Sequence, residues 1–224
     1  MPKLAATFAL LLLSSVAFAE DWPGWRGPRA DGTATDTGYP ITWSATENVK
    51  WKTLIPGSGH SSPVVSKGKV FVTACIETEK KRVLYCVDRA SGEILWEQVV
   101  LTSDLERKHG ENSFASSTPA CDGERVYVVD DRLGFASCWD VKTGKEYWKE
   151  KLGGATGYHA SAVVAEGRVY FTNDAGVTFV VKAEGELDVL SKNAIGEKVY
   201  ASPAFSDGDI FHRGEKHLWC IGKK

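Results

Sequence analysis

Methionine occurs once in the 224 residues and proline eight times. Beyond residue 19 no apolar run approaches the ~20 residues a membrane span requires. No segment keeps an apolar period of ~3.6 residues, which excludes a helical bundle or helical array. Neither charge sign dominates. Lys and Arg number 27 against 29 Asp and Glu, a formal net of −2, so the basic surplus expected of a nucleic-acid or anionic-membrane binder is missing. No two cysteines are adjacent, no His-Glu-x-x-His or Gly-x-Ser-x-Gly occurs, and Gly57-Ser58-Gly59 lacks the following helix that a phosphate loop needs. What the chain has is glycine (22) and tryptophan (eight), within an ordinary globular balance of 43% hydrophobic and 25% charged residues. That composition excludes disorder and favours short strands with tight turns.

The first 19 residues form a unit of their own. Lys3 precedes an apolar run from Leu4 to Leu13, and Ala17-Phe18-Ala19 precedes Glu20. A charged start, a short apolar stretch and a small-x-small site are the features of a signal peptide cleaved after Ala19. They predict export to the periplasm or beyond. Export would place the five cysteines (75, 86, 121, 138, 220) in an oxidising compartment.

The remainder repeats. Ser61-Ser62-Pro63-Val64-Val65, Ser117-Thr118-Pro119-Ala120, Ala160-Ser161-Ala162-Val163 and Ala201-Ser202-Pro203-Ala204 open four similar units. Each is followed by a Gly turn with a β-rich run, then by a third run: Leu84-Tyr85-Cys86-Val87, Ala136-Ser137-Cys138-Trp139, Thr178-Phe179-Val180-Val181 and Leu218-Trp219-Cys220-Ile221. The first two units continue as Asp88-x-x-Ser91-Gly92-x-x-x-Trp96 and Asp140-x-x-Thr143-Gly144-x-x-x-Trp148. Short runs of β-branched and aromatic residues bounded by turn residues read as four strands per unit. Units of roughly 40–45 residues with four strands have the spacing of β-propeller blades. In each turn the Asp is expected to bind the backbone ahead of it and the Gly to supply a positive φ, with the Trp covering the seam between sheets.

The last unit stops at its third strand. Residues 48–54, centred on Trp51, read as an orphan fourth strand that closes the ring, making residues 48–224 one domain of about four blades. Two other arrangements remain open: a shortened relative of a larger ring, and two chains joining half-rings. Residues 20–47 are expected to wrap the outside of the ring.

These motifs resemble the quinoprotein-type (pyrroloquinoline-quinone-like, PQQ-like) β-propeller repeat. Trp22-Pro23-Gly24-Trp25-Arg26-Gly27-Pro28 is similar to the start of exported members of that family, and Arg213-Gly214-Glu215-Lys216-His217-Leu218-Trp219-Cys220 to their close. The resemblance implies a ring of about seven or eight blades in full-length members, so this chain has about half. It implies either an envelope scaffold, as in outer membrane protein assembly factors, or a PQQ-dependent dehydrogenase. The second needs Ca²⁺ on carboxylate and amide oxygens, a catalytic Asp and often two adjacent cysteines. The acids here fall in turns (Asp88, Asp122, Asp140, Asp207), so no cofactor, metal site or catalysis is expected and PQQ with calcium stands as the alternative.

Candidate contact residues come from position in the repeat. His60, Ser116, His159 and Tyr200 each lie three before a unit's marker, where one blade hands over to the next at the channel mouth. Tyr158 adjoins them. Two His could serve a metal only with a third donor. The long polar connection containing His109 and Asn112 is a second candidate contact for an envelope protein or small polar ligand. The three tryptophans of residues 22–43 could grip sugars. The hydroxyls at 62, 118, 161 and 202 are expected to be structural. Cys86, Cys138 and Cys220 share one repeat position and read as packing, while Cys75 and Cys86 could face each other across the hairpin tip at residues 77–82.

Overall fold

The computed structural model describes residues 20–223, apart from 131, 132, 154–156 and 207. The expected leader lies outside the described residues. The described chain is all-β, with one 3-10 turn and no helix long and apolar enough to cross a membrane.

Four antiparallel sheets follow one another. The first holds β1 (Val64–Ser66), β2 (Lys69–Ile76), β3 (Lys81–Asp88) and β4 (Ile94–Thr102). The second holds β5 (Ala120–Cys121), β6 (Arg125–Val129), β7 (Phe135–Asp140) and β8 (Glu146–Lys151). The third holds β9 (Val163–Ala165), β10 (Arg168–Thr172), β11 (Val177–Lys182) and β12 (Val189–Ala194). The last holds only β13 (Ala204–Ser206), β14 (Asp209–Arg213) and β15 (Leu218–Ile221). Each sheet is a meander with strands in chain order, and the short first strands of the first three sheets touch one another in turn. This is the expected propeller of about four blades.

Apolar clusters between blades hold the stack. Val64, Phe71, Leu84 and Cys86 of the first blade pack against Cys121, Val126, Val128 and Trp139 of the second. Tyr127, Cys138 and Trp148 of the second meet Val169, Phe171, Phe179 and Val181 of the third. Period-2 alternation makes this possible, because each strand offers one face to the blade before and the other to the blade after. Burying a side chain of this size contributes ~1.5–3 kcal/mol.

The turns behave as the repeat predicts. Asp88 Oδ1 accepts from the Ala90 and Ser91 amides at 2.9 and 2.8 Å, and Asp140 Oδ1 accepts from Lys142 and Thr143 at 2.9 and 2.7 Å. The hydrogen bonds from Ser91 hold the Asp88 carboxyl below its ordinary range. Gly92 and Gly144 take φ of +77° and +70°. The Trp96 ring lies across Gly144, where a Cβ would stand 2.7 Å from it. Trp148 Nε1 donates to Glu184 O, in the corresponding turn of the third blade, at 3.4 Å.

Two expectations need correction. Residues 48–54 form no strand, and no backbone pairing among the described residues joins them to β15 or the last sheet to the first. Trp51 instead lies across Gly92 of the first blade, its Nε1 donating to Arg89 O at 3.0 Å. The row of blades is therefore open within one chain.

Residues 20–30 do not lie outside. Trp22 exchanges two 2.8 Å backbone hydrogen bonds with Val65 of β1, and Pro23 O accepts from the Cys121 amide of β5 at 2.7 Å. The first strand of each sheet has a free edge of unpaired amides and carbonyls, and the N-terminal segment satisfies part of it.

The cysteines carry no bridge. Cys75 stands opposite Arg82 and Cys86 opposite Phe71, so the hairpin register keeps the two thiols apart. Burial pushes Cys86 and Cys138 up to about 12, consistent with packing rather than reactivity.

Candidate functional site: the cavity along the inner strands

The connection into each blade's first strand and the turn between its second and third strands lie at the same end of the blade. Residues from successive connections therefore converge. His60, Ser116, His159 and Tyr200 all line one cavity of about 690 Å³, with Ser62, Thr118, Ser161 and Ser202 beside them. The N-terminal segment from Pro23 to Ala30 forms another wall, and Arg213 and Leu218 come from the last blade.

The hydroxyls join neighbouring blades. The Ser62 amide donates to Thr118 Oγ1 at 3.1 Å, and the Ser161 amide to Ser202 Oγ at 2.9 Å. Each thus fixes the spacing of two inner strands.

His159 is the most organised of the four. Its Nδ1 lies 2.9 Å from both Asp174 oxygens, its amide donates to Asp174 Oδ1 at 3.1 Å, and its ring meets Tyr200 edge-on at 5.7 Å. The carboxylate thus fixes the ring through Nδ1, with Nε2 on the opposite edge. Tyr200 is half exposed (51%). Asp174 escaped the sequence reading because it is fifteen residues away. The only signal was topological: a residue just before a first strand and one just after a second share an end of the blade.

The long connection is anchored rather than loose. Arg82 is buried, with Nη2 2.8 Å from Glu106, Nη1 2.6 Å from Ser103 Oγ and Nε 3.4 Å from Asp130. Ser113, Phe114 and Ala115 are buried. Asn112 Oδ1 accepts from Ser116 Oγ at 2.6 Å and so positions a cavity residue from the loop. The His60 amide donates to Ala115 O at 3.0 Å and to Ser113 Oγ at 3.1 Å.

Three proposed contacts lie elsewhere. Tyr158 is fully buried in the core between the second and third blades, and burial pushes its hydroxyl up to about 12; a partner cannot reach it. His109 is exposed on the long loop, its Nδ1 accepting from the Glu111 amide at 3.2 Å, and lines no part of the cavity. Asn112 acts behind Ser116. Sequence reading also missed Arg26, Arg29 and Arg213, which give the cavity three guanidiniums. Arg26 stacks on Trp25 at 4.6 Å, and Arg29 pairs with Glu20. Among the described residues no Asp or Glu lines the cavity.

Four-stranded blades around an inner cavity, with the Asp-x-x-[Ser/Thr]-Gly-x-x-x-Trp turn, define a β-propeller of the PQQ-like repeat type. The family described as outer membrane protein assembly factor BamB matches residues 79–192, and the chain belongs to it. No curated protein matches the chain. Among solved structures, BamB from Moraxella catarrhalis is similar with a TM-score of 0.56 and 14% identity, over 77% of this chain and 48% of that one. The quinohemoprotein alcohol dehydrogenase ADHIIG from Pseudomonas putida HK5 is similar at 0.51 and 15%, over 72% of this chain and 29% of that one. The computationally designed Ika4 protein is similar at 0.50 and 17%, over 77% of this chain and 99% of that one. The chain thus spans about half the length of the BamB structure it matches. At these identities the likeness is one of fold.

The cavity does not fit a calcium-held quinone. Ca²⁺ takes oxygen ligands, chiefly carboxylates and amides, and the described lining residues include no Asp, Glu, Asn or Gln. Among the described residues no three His, Cys, Asp or Glu gather into a metal-binding group.

Proposed function

We propose that the protein is an exported scaffold of the cell envelope that holds an extended, acid-bearing segment of a protein partner in the cavity along its inner strands. The observation that carries this reading is the composition of the cavity wall: Arg26, Arg29, Arg213, His60 and His159, aromatic Trp25 and Tyr200, a row of hydroxyls, and no carboxylate among the described lining residues, with Glu20 and Asp174 held behind Arg29 and His159. Arginine, tryptophan and tyrosine are the side chains that dominate binding energy at protein interfaces. A basic concave wall favours an anionic ligand over a cationic one. The leader-like first 19 residues and the BamB family support an envelope location. Rigid blades suit the task because they hold many connections on one face.

A photo-crosslinking residue in place of Tyr200 tests this in living cells, with the same residue in place of Glu186, on the β11–β12 turn and absent from the cavity wall, as control. The expected result is a discrete adduct with an envelope protein from position 200 alone, weakened at least tenfold when Arg26 and Arg213 become Glu. Adducts equal at the two positions, or unaffected by the charge reversal, would overturn the reading.

A further inference from the structure

Each complete blade carries one cross-strand row facing the next blade. In the first it is Val64, Phe71, Cys86 and Trp96, and in the second Ala120, Tyr127, Cys138 and Trp148. The first three members of both rows are fully buried. The last blade has Ala204, Phe211 and Cys220 in the same register, with no fourth strand among the described residues. Its row is uncovered: Ala204 and Cys220 are exposed, and Leu218 on β15 is 71% exposed.

The missing fourth member is present at the other end of the molecule. Trp51 stands to Gly92 as Trp96 stands to Gly144, with a Cβ on Gly92 falling 2.5 Å from its ring. Thr53 Oγ1 reinforces the placement with a 2.5 Å hydrogen bond to Gly92 O. Residues 48–54 thus occupy the place of the outer strand of a blade preceding the first, yet no described backbone bond pairs them with any strand.

From this juxtaposition we propose that a second copy of the chain supplies that blade. β15 of each copy takes residues 48–54 of the other as its fourth strand, with Trp51 opposite Cys220, Lys52 opposite Trp219 and Thr53 opposite Leu218. The exchange is reciprocal, so it closes on a two-fold axis into a ring of eight blades with no open flank. The matched part of one chain covers 48% of the BamB structure, about half of its length. The pairing also covers the outer edge of β15 in each copy, an edge that otherwise invites uncontrolled association. This proposal stands apart from the cavity's ligand and does not depend on it.

The register is directly testable. Residues opposed across antiparallel strands have Cα atoms ~4.5–5.5 Å apart, within disulfide reach. Trp51→Cys, with Cys220 retained, is expected to give under oxidation a two-chain species that reduction separates. Adding Cys220→Ser is expected to abolish it; the other four cysteines are buried. Sedimentation of the unsubstituted protein reads the same claim without touching Trp51, and a particle of two chains is expected. A bridge formed within one chain, or a single-chain particle at every concentration, would overturn the proposal.

Discussion

Gly144 shows how narrowly the seam between blades is specified. Its φ of +70° is a conformation other residues adopt at a cost, and the Trp96 ring occupies the space a side chain would need. Gly208 has a φ of +80° but nothing within 4 Å of its ideal Cβ. The pair separates backbone strain from overpacking. Gly208→Ala carries only the left-handed penalty, ~1–2 kcal/mol. Gly144→Ala adds the overpacking cost of ~1–3 kcal/mol. Urea unfolding is therefore expected to place the midpoint of Gly144→Ala clearly below that of Gly208→Ala; equal midpoints would mean that Trp96 moves aside freely. The Asp-x-x-[Ser/Thr]-Gly-x-x-x-Trp spacing made this contact legible in the sequence, since each member has its own local reason to be there. Asp174 had no such local reason, and its hold on His159 emerges only when the third blade is folded.

Among the elements, the long connection between the first two blades departs most from a simple reading. Its composition suggests a solvated loop, but Arg82 projects from β3 to hold it between Glu106 and Asp130. Removing one partner of a buried ion pair costs ~3–5 kcal/mol because the remaining charge stays behind. Arg82→Met is expected to lose stability on that scale and to expose residues 103–116 to protease, while Lys80→Met, whose pair with Asp104 is largely exposed, leaves both unchanged. An Arg82→Met protein that resists protease as the parent does would show that the loop is held by Phe114 and its neighbours instead. The strand units were legible from their turns and alternation. The orphan strand was half legible: its tryptophan identified the kind of strand it imitates, but a linear repeat cannot tell whether the sheet it completes belongs to the same molecule. The N-terminal segment was misplaced because its tryptophans suggest surface packing, whereas the free backbone edges of the inner strands draw it inward.

At the scale of the whole molecule, the flanks decide the architecture. Among the described residues one ends in a three-stranded sheet, and the other carries a segment seated where an outer strand belongs. Amide hydrogen exchange reads both at once, because unpaired edge amides exchange quickly and paired ones are protected. The measurement is exchange of the purified protein across a dilution series, with peptides covering residues 48–54 and 218–221 followed against the second blade. Both peptides are expected to be protected at high concentration and to lose protection together on dilution, while the second blade stays protected. Fast exchange of either peptide at every concentration, with the blades intact, would contradict it.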